Sequence, residues 1–168
     1  MITIPKVGKV CEVPVNVLKA IEKCYTEHRE KFVKLTVILN HYVLFLQKSE
    51  TAEWLIDDAD TNIIKDFINS TFSSAIDCRL HIWKNQPKIN DPNAHDYPRV
   101  FIPVTNNSCQ YKVLDSENKI HSLNFKIGYC YIFDVRHKHF VQNFNPSENR
   151  LICCFKFDPN KETIYKGL

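Results

Sequence analysis

The chain has 168 residues, 44% of them hydrophobic, enough for one domain to bury a core without disulfide or metal staples. Its formal charge of +3 comes from lysines and arginines scattered along the chain, and no basic stripe marks a nucleic-acid-binding face. The longest apolar run, Tyr42 to Leu46, is too short to span a bilayer, and Met1 to Val10 lacks the apolar segment of a signal peptide, so a cytoplasmic protein outside the membrane is expected.

From Asn16 to Ser74 apolar residues recur at helical spacing. Val17, Leu18, Ile21 and Tyr25 form one set, Leu35, Ile38, Leu39, Tyr42 and Leu46 a second, and Ile63, Ile64, Phe67 and Ile68 a third. Three or four amphipathic helices are predicted over 14–76, with Asn16 and Asp60 as N-caps. From Cys78 the texture changes to short alternating or β-branched runs. Strands are predicted at Arg79 to Trp83, Val100 to Val104, Gln110 to Leu114, Lys119 to Leu123, Tyr129 to Phe133, Phe140 to Asn143 and Leu151 to Phe157. Helices followed by strands is an α+β order, mainly β. It predicts a single domain over 1–168, with a sandwich or barrel over 78–158 and the helices packed on one outer face.

The seven cysteines contain no CxxC pair and are odd in number, which predicts reduced and mostly buried thiols. Cys153 and Cys154 are neighbours and would face opposite sides of a strand. Among the histidines, His28 and His41 lie in helical texture and His121 in an outer strand, so none of these carries a primary functional expectation. Trp83, Tyr97, Tyr111 and Tyr131 read as core or rim packing.

The most informative stretch runs from Gly128 through Phe133, Asp134, His137, His139, Val141 and Asn143, and is followed by Asn149-Arg150-Leu-Ile. A Gly-initiated strand leads to a His at the start of the next strand, and a polar turn brings back an Arg. Neighbouring antiparallel strands would then place the His139 imidazole and the Arg150 guanidinium in one cavity. A neutral imidazole binds a divalent metal, and an Arg fork fits a carboxylate bidentately.

The pattern G-x-x-x-x-F-D-x-x-x-x-H-x-V-x-N followed by N-R-L-I resembles the distal motif of the aspartyl/asparaginyl β-hydroxylases, iron(II)- and 2-oxoglutarate-dependent dioxygenases. The resemblance covers roughly Cys78 to Phe157. It implies a double-stranded β-helix (cupin) fold, with His139 and not His137 as an iron ligand and Arg150 as the anchor of the 2-oxoglutarate carboxylate. Tyr97-Pro-Arg99-Val-Phe-Ile-Pro103 resembles the family's strand that opens with an Arg, and so implies that Arg99 assists in co-substrate binding.

The proximal ligands are less regular. The facial triad of the family starts with a His and a carboxylate two residues apart, whereas His95 and Asp96 are adjacent and cannot both point inward from a regular strand. His95 is the only His in the loop leading to Arg99 and is the expected first ligand, with Asp96 as the carboxylate and His81 as a remote substitute. Family spacing counted back from Arg99 falls instead on Asn90, in Ile89-Asn-Asp91. The expected function is a hydroxylase using iron(II) and 2-oxoglutarate on a protein or small-molecule substrate. The alternative is a metal-free cupin-like binding or protein-interaction module.

Overall fold

The computed structural model describes residues 2–35, 40–91 and 95–167. The chain forms β1 (Val7–Glu12), α1 (Val15–Glu27), a 3-10 turn (Arg29–Lys31), β2 (Val33–Lys34), β3 (His41–Phe45), α2 (Ala59–Thr71), β4 (Ala75–Trp83), β5 (Lys88–Asp91), β6 (Arg99–Pro103), β7 (Cys109–Leu114), β8 (Ile120–Phe125), β9 (Tyr129–Phe133), β10 (Lys138–Asn143) and β11 (Arg150–Phe157). The fold is mainly β, with two α-helices and two antiparallel sheets. The seven-stranded sheet runs β1-β9-β6-β11-β4-β3-β2, and the four-stranded sheet runs β5-β10-β7-β8. From β4 onward the chain passes repeatedly between the two sheets, so sequential strands seldom pair.

Two cores result. Val17, Ala20, Ile21 and Cys24 of α1 and Ile64 and Ile68 of α2 pack on one face of the large sheet, against Leu80, Ile82, Val100, Ile102, Cys153 and Phe155. The opposite face meets the small sheet through Phe101, Tyr111, Val113, Phe125, Phe133, Val141, Ile152 and Cys154. Both faces of β11 are therefore covered, which explains its uninterrupted burial. Cys153 lies in the first core and Cys154 in the second, as strand alternation requires. All seven cysteines are free, and only Cys11 is not buried.

Seven expected strands appear in place with small shifts at their ends. The middle helix of the N-terminal half does not. Tyr42 and Leu46 belong to the region of β3, which pairs with β4 in the register Tyr42↔Ile82, while Ile38 and Leu39 lie outside the described residues. His41-Tyr-Val-Leu-Phe45 is aromatic and β-branched, and the partner edge of β4 decides its conformation over the helical spacing of the apolar residues from Leu35 to Leu46. The helix starts also move. Pro14 flanks α1 without a side-chain cap, and Asp58, not Asp60, caps α2 by accepting from the Thr61 N–H at 2.7 Å. No described helix is long and apolar enough to cross a membrane.

Candidate metal and anion site

Strand pairing builds a His/Asp group that could hold a metal ion. In the β10–β5 register His139 stands directly opposite Asp91, and opposed residues of an antiparallel pair project to the same face. His95 joins them from the segment that follows, its backbone N–H donating to the Val135 carbonyl at 3.0 Å. Asp91 Oδ2 lies 3.1 Å from His95 Nε2 and 3.7 Å from His139 Nε2. The three donor atoms all fall within 4.8 Å of one another, close enough to share one ion.

His139 is prepared for this task by its other nitrogen. Nδ1 is 2.8 Å from the His137 carbonyl oxygen, which can only accept, so Nδ1 carries the proton and Nε2 presents its lone pair to the group. Burial lowers the pKa of His139, which favours the neutral, ligating form. His137 itself is engaged elsewhere, with Lys6 Nζ at 2.7 Å and Asp134.

Sequence reasoning expected Asp96 as the carboxylate. Asp96 is exposed and outside the group, whose carboxylate is Asp91, because the β5–β10 register carries that residue across from His139. The Ile89-Asn-Asp91 segment identified by counting back from Arg99 does reach the site, through Asp91 and not through Asn90 alone.

The group opens on a cavity of about 330 Å³ between the sheets, which His95, His139, Arg99 and Arg150 all line. Arg150 begins β11 opposite Trp83 of β4, and its guanidinium lies over the Trp83 ring at 4.1 Å and 5.6 Å from the centre of the Tyr111 ring. It is 3% exposed, yet its Nε has no hydrogen-bond partner among the described residues. The Tyr111 hydroxyl is equally buried and unpartnered. Such orphaned donors are costly in a dry interior unless a ligand meets them.

A third orphan is His81 Nε2, in a stack that sequence reasoning missed. His41 Nε2 and His81 Nδ1 are hydrogen-bonded at 2.8 Å, and both rings lie nearly parallel to Trp83. Burial, reinforced by neighbouring arginines, pushes the His41 pKa down to about 4, and burial beside His41 and the same arginines holds that of His81 well below its ordinary value. The apparent helical texture around His41 hid this placement, and the aromatic and β-branched content of His41–Phe45 was the signal available. Arg99 reaches the cavity from β6. It pairs with neither Asp96 nor Asp134 and touches Cys154 Sγ at 3.5 Å. Asp134 is held instead by Arg136 and Lys6.

No known family profile matches the chain, and no curated protein sequence matches it. Solved structures do. A prolyl-4-hydroxylase from Pseudomonas putida superposes with a TM-score of 0.58 at 9% identity over 90% of each chain. An oxidoreductase of the 2OG-Fe(II) oxygenase family from Burkholderia pseudomallei gives 0.61 at 10% identity, over 97% of this chain and 89% of that one. A prolyl hydroxylase from Trichoplax adhaerens, in complex with a peptide fragment of the hypoxia inducible factor oxygen degradation domain, gives 0.61 at 14% identity over 92% and 83%. At these identities the likeness is one of fold.

Proposed function

We propose that the protein is an iron(II)- and 2-oxoglutarate-dependent oxygenase built on a double-stranded β-helix formed by β4 to β11. The observation that carries this reading is that one cavity holds a two-histidine, one-carboxylate donor set together with a buried guanidinium whose Nε is unpartnered. The donor set suits iron(II), since two imidazoles and a carboxylate leave coordination positions open. The orphaned Nε of Arg150 and the Tyr111 hydroxyl suit a carboxylate oxygen.

Asp91, His95 and His139 would hold the metal, and Arg150 with Tyr111 would hold the distal carboxylate of 2-oxoglutarate. With dioxygen as the oxidant, the metal and 2-oxoglutarate would supply the chemistry that hydroxylates a carbon, one oxygen atom passing to the substrate and the other to 2-oxoglutarate as it becomes succinate and carbon dioxide. The protein's contribution is to position and to exclude water. Trp83 backs the Arg150 guanidinium, whose central carbon lies over its ring, the His137 carbonyl fixes the His139 tautomer, and Phe101, Phe133 and Val141 keep the cavity wall apolar. The fold shared with the solved oxygenases supports the reading.

The test begins with iron analysis of protein purified without chelators. Titration with 2-oxoglutarate in the presence of Mn(II) then follows, and finally a measurement of succinate release from 2-oxoglutarate. One iron per chain and metal-dependent 2-oxoglutarate binding are expected. A protein that takes up neither is a metal-free binding module, and the oxygenase reading then fails.

A further inference from the structure

The cavity has more positive charge than one co-substrate needs. Its charged lining residues, among those described, are Arg79, Arg99, Arg150 and Asp91. Arg79 is neutralised within the wall, donating Nε and Nη2 to the two Asp77 oxygens at 2.7 and 2.6 Å. Lys156 behind it is likewise matched, by Asp77 and Glu50. Arg99 has no such partner. Of its five donors, one points at the Cys154 thiol, a weak acceptor, and no carboxylate among the described residues pairs with it.

With a divalent ion held by Asp91 and a doubly negative co-substrate on Arg150, the cavity keeps one uncompensated positive charge, that of Arg99. His81, which lines the same cavity and is 5% exposed, adds a second signal, its Nε2 being buried and without a hydrogen-bond partner among the described residues. In the tautomer where His41 Nε2 donates to His81 Nδ1, that Nε2 is an N–H donor without an acceptor. A buried donor of this kind and an unpaired guanidinium, both lining the cavity from strands of the large sheet, describe a second anion subsite on that wall. Phe101 and Phe133 beside it are apolar and suit a carbon body.

We propose that the substrate presents a carboxylate, which Arg99 receives with the support of His81 while its apolar stem lies toward the metal group. This rests on the oxygenase reading and names the substrate class for the same site. It also moves Arg99 from co-substrate binding, which the sequence resemblance implied, to substrate selection. The same carboxylate can come on a free organic acid or on an acidic side chain of a peptide.

The experiment uses the full chain loaded with Mn(II) and saturated with 2-oxoglutarate. Propionate, hexanoate and phenylacetate probe the free acids, and acetyl-Gly-Glu-Gly-amide probes the peptide source. Each is compared with its uncharged carboxamide counterpart, and the readout is Mn(II)-induced broadening of the ligand's proton resonances. At least one carboxylate should broaden at concentrations where its carboxamide does not. Arg99→Gln should weaken that binding at least about tenfold, the loss expected for a charge-assisted hydrogen bond, and Arg99→Lys should restore part of it. Mn(II) binding and 2-oxoglutarate affinity should change less than about threefold in both variants, which also shows that they fold. Equal broadening by carboxylates and carboxamides overturns the proposal. So does a loss of 2-oxoglutarate affinity in Arg99→Gln as large as that in Arg150→Lys, which would return Arg99 to the co-substrate. Failure of the wild type to bind 2-oxoglutarate at all overturns the oxygenase reading, and this inference with it.

Discussion

Asp91 and Asp96 are five positions apart and carry the same functional group, yet the β5–β10 register brings only Asp91 opposite His139. Replacing a donor in the group should weaken metal binding by more than about tenfold, whereas an exposed carboxylate contributes little. Asp91→Ala is therefore expected to lose Mn(II) affinity strongly and Asp96→Ala to remain within about twofold of wild type, as titration followed by electron paramagnetic resonance would show. Similar losses in the two variants would return the ligand role to the loop as a whole. Arg150 allows a second test that does not depend on the carboxylate. A lysine at this position keeps the charge but loses the planar fork and the stacking on Trp83, so Arg150→Lys should lower 2-oxoglutarate affinity by about 10- to 150-fold while metal binding survives. Unchanged affinity would remove Arg150 from the co-substrate site. His139 and Arg150 do line one cavity, as their pattern in the sequence predicted, but they reach it from facing sheets and not from neighbouring hydrogen-bonded strands. Asp91 was not legible in the sequence, because its role depends on a partner strand 48 residues further on.

At the scale of elements, α2 shows how a cap sets a boundary. Asp58 accepts from the Thr61 N–H and also meets His28 Nε2 at 2.9 Å, tying the start of α2 to the end of α1. Asp58→Ala should destabilise the fold by about 1 kcal/mol, the usual cost of a lost N-cap, measurable by urea denaturation. Asp60→Ala serves as the comparison. Its side chain makes only an exposed contact with Lys23 at 3.3 Å, and a loss within about 0.5 kcal/mol is expected. If Asp60→Ala were the more damaging, the cap assignment would be wrong. Elements with long, unambiguous periodicity, such as α1, α2 and β11, could be read from sequence. The edge strands β1 and β2 and the four-residue β5 could not, since each is defined by the neighbour that supplies its hydrogen bonds.

For the whole molecule, buried histidines and one carboxylate clamp set the response to acid. His41 has an ordinary pKa of 6.5 when unfolded and about 4 when folded, so below pH 6.5 the unfolded chain binds a proton that the folded chain refuses. Stability should fall as pH drops from 6.5 toward 4, by on the order of 2 kcal/mol between pH 7.5 and 5 from His41 alone. Glu162 acts at lower pH. Burial by itself would raise its carboxyl, but hydrogen bonds from Ser73, Ser74 and Tyr165 prevail and bring it from 4.5 down to about 2. Its contribution is present above pH 4.5 and is lost as pH falls toward 2. Urea unfolding of the ligand-free protein from pH 7.5 to 3 should show both phases, and His41→Gln should flatten the first. A stability constant from pH 7.5 to 5 would contradict the buried, neutral state of the histidine pair.

Composition and pattern alone determined that this chain is mainly β with helices in its N-terminal half, though two α-helices and not the three or four expected, that its thiols are free and mostly buried, and that a His and an Arg meet at one cavity. These follow from local chemistry, from side-chain alternation on strands, the 3.6-residue period of helices and the meaning of glycine and polar turns. The tertiary structure decided which carboxylate stands with His95 and His139, that His41 and His81 form a buried stack beside Trp83, and that Arg99 has no acidic partner among the described residues. Each of these depends on contacts between strands far apart in the chain. A one-residue change of register would turn every such side chain to the other face, and only the packing of both sheets against one another selects the register that occurs.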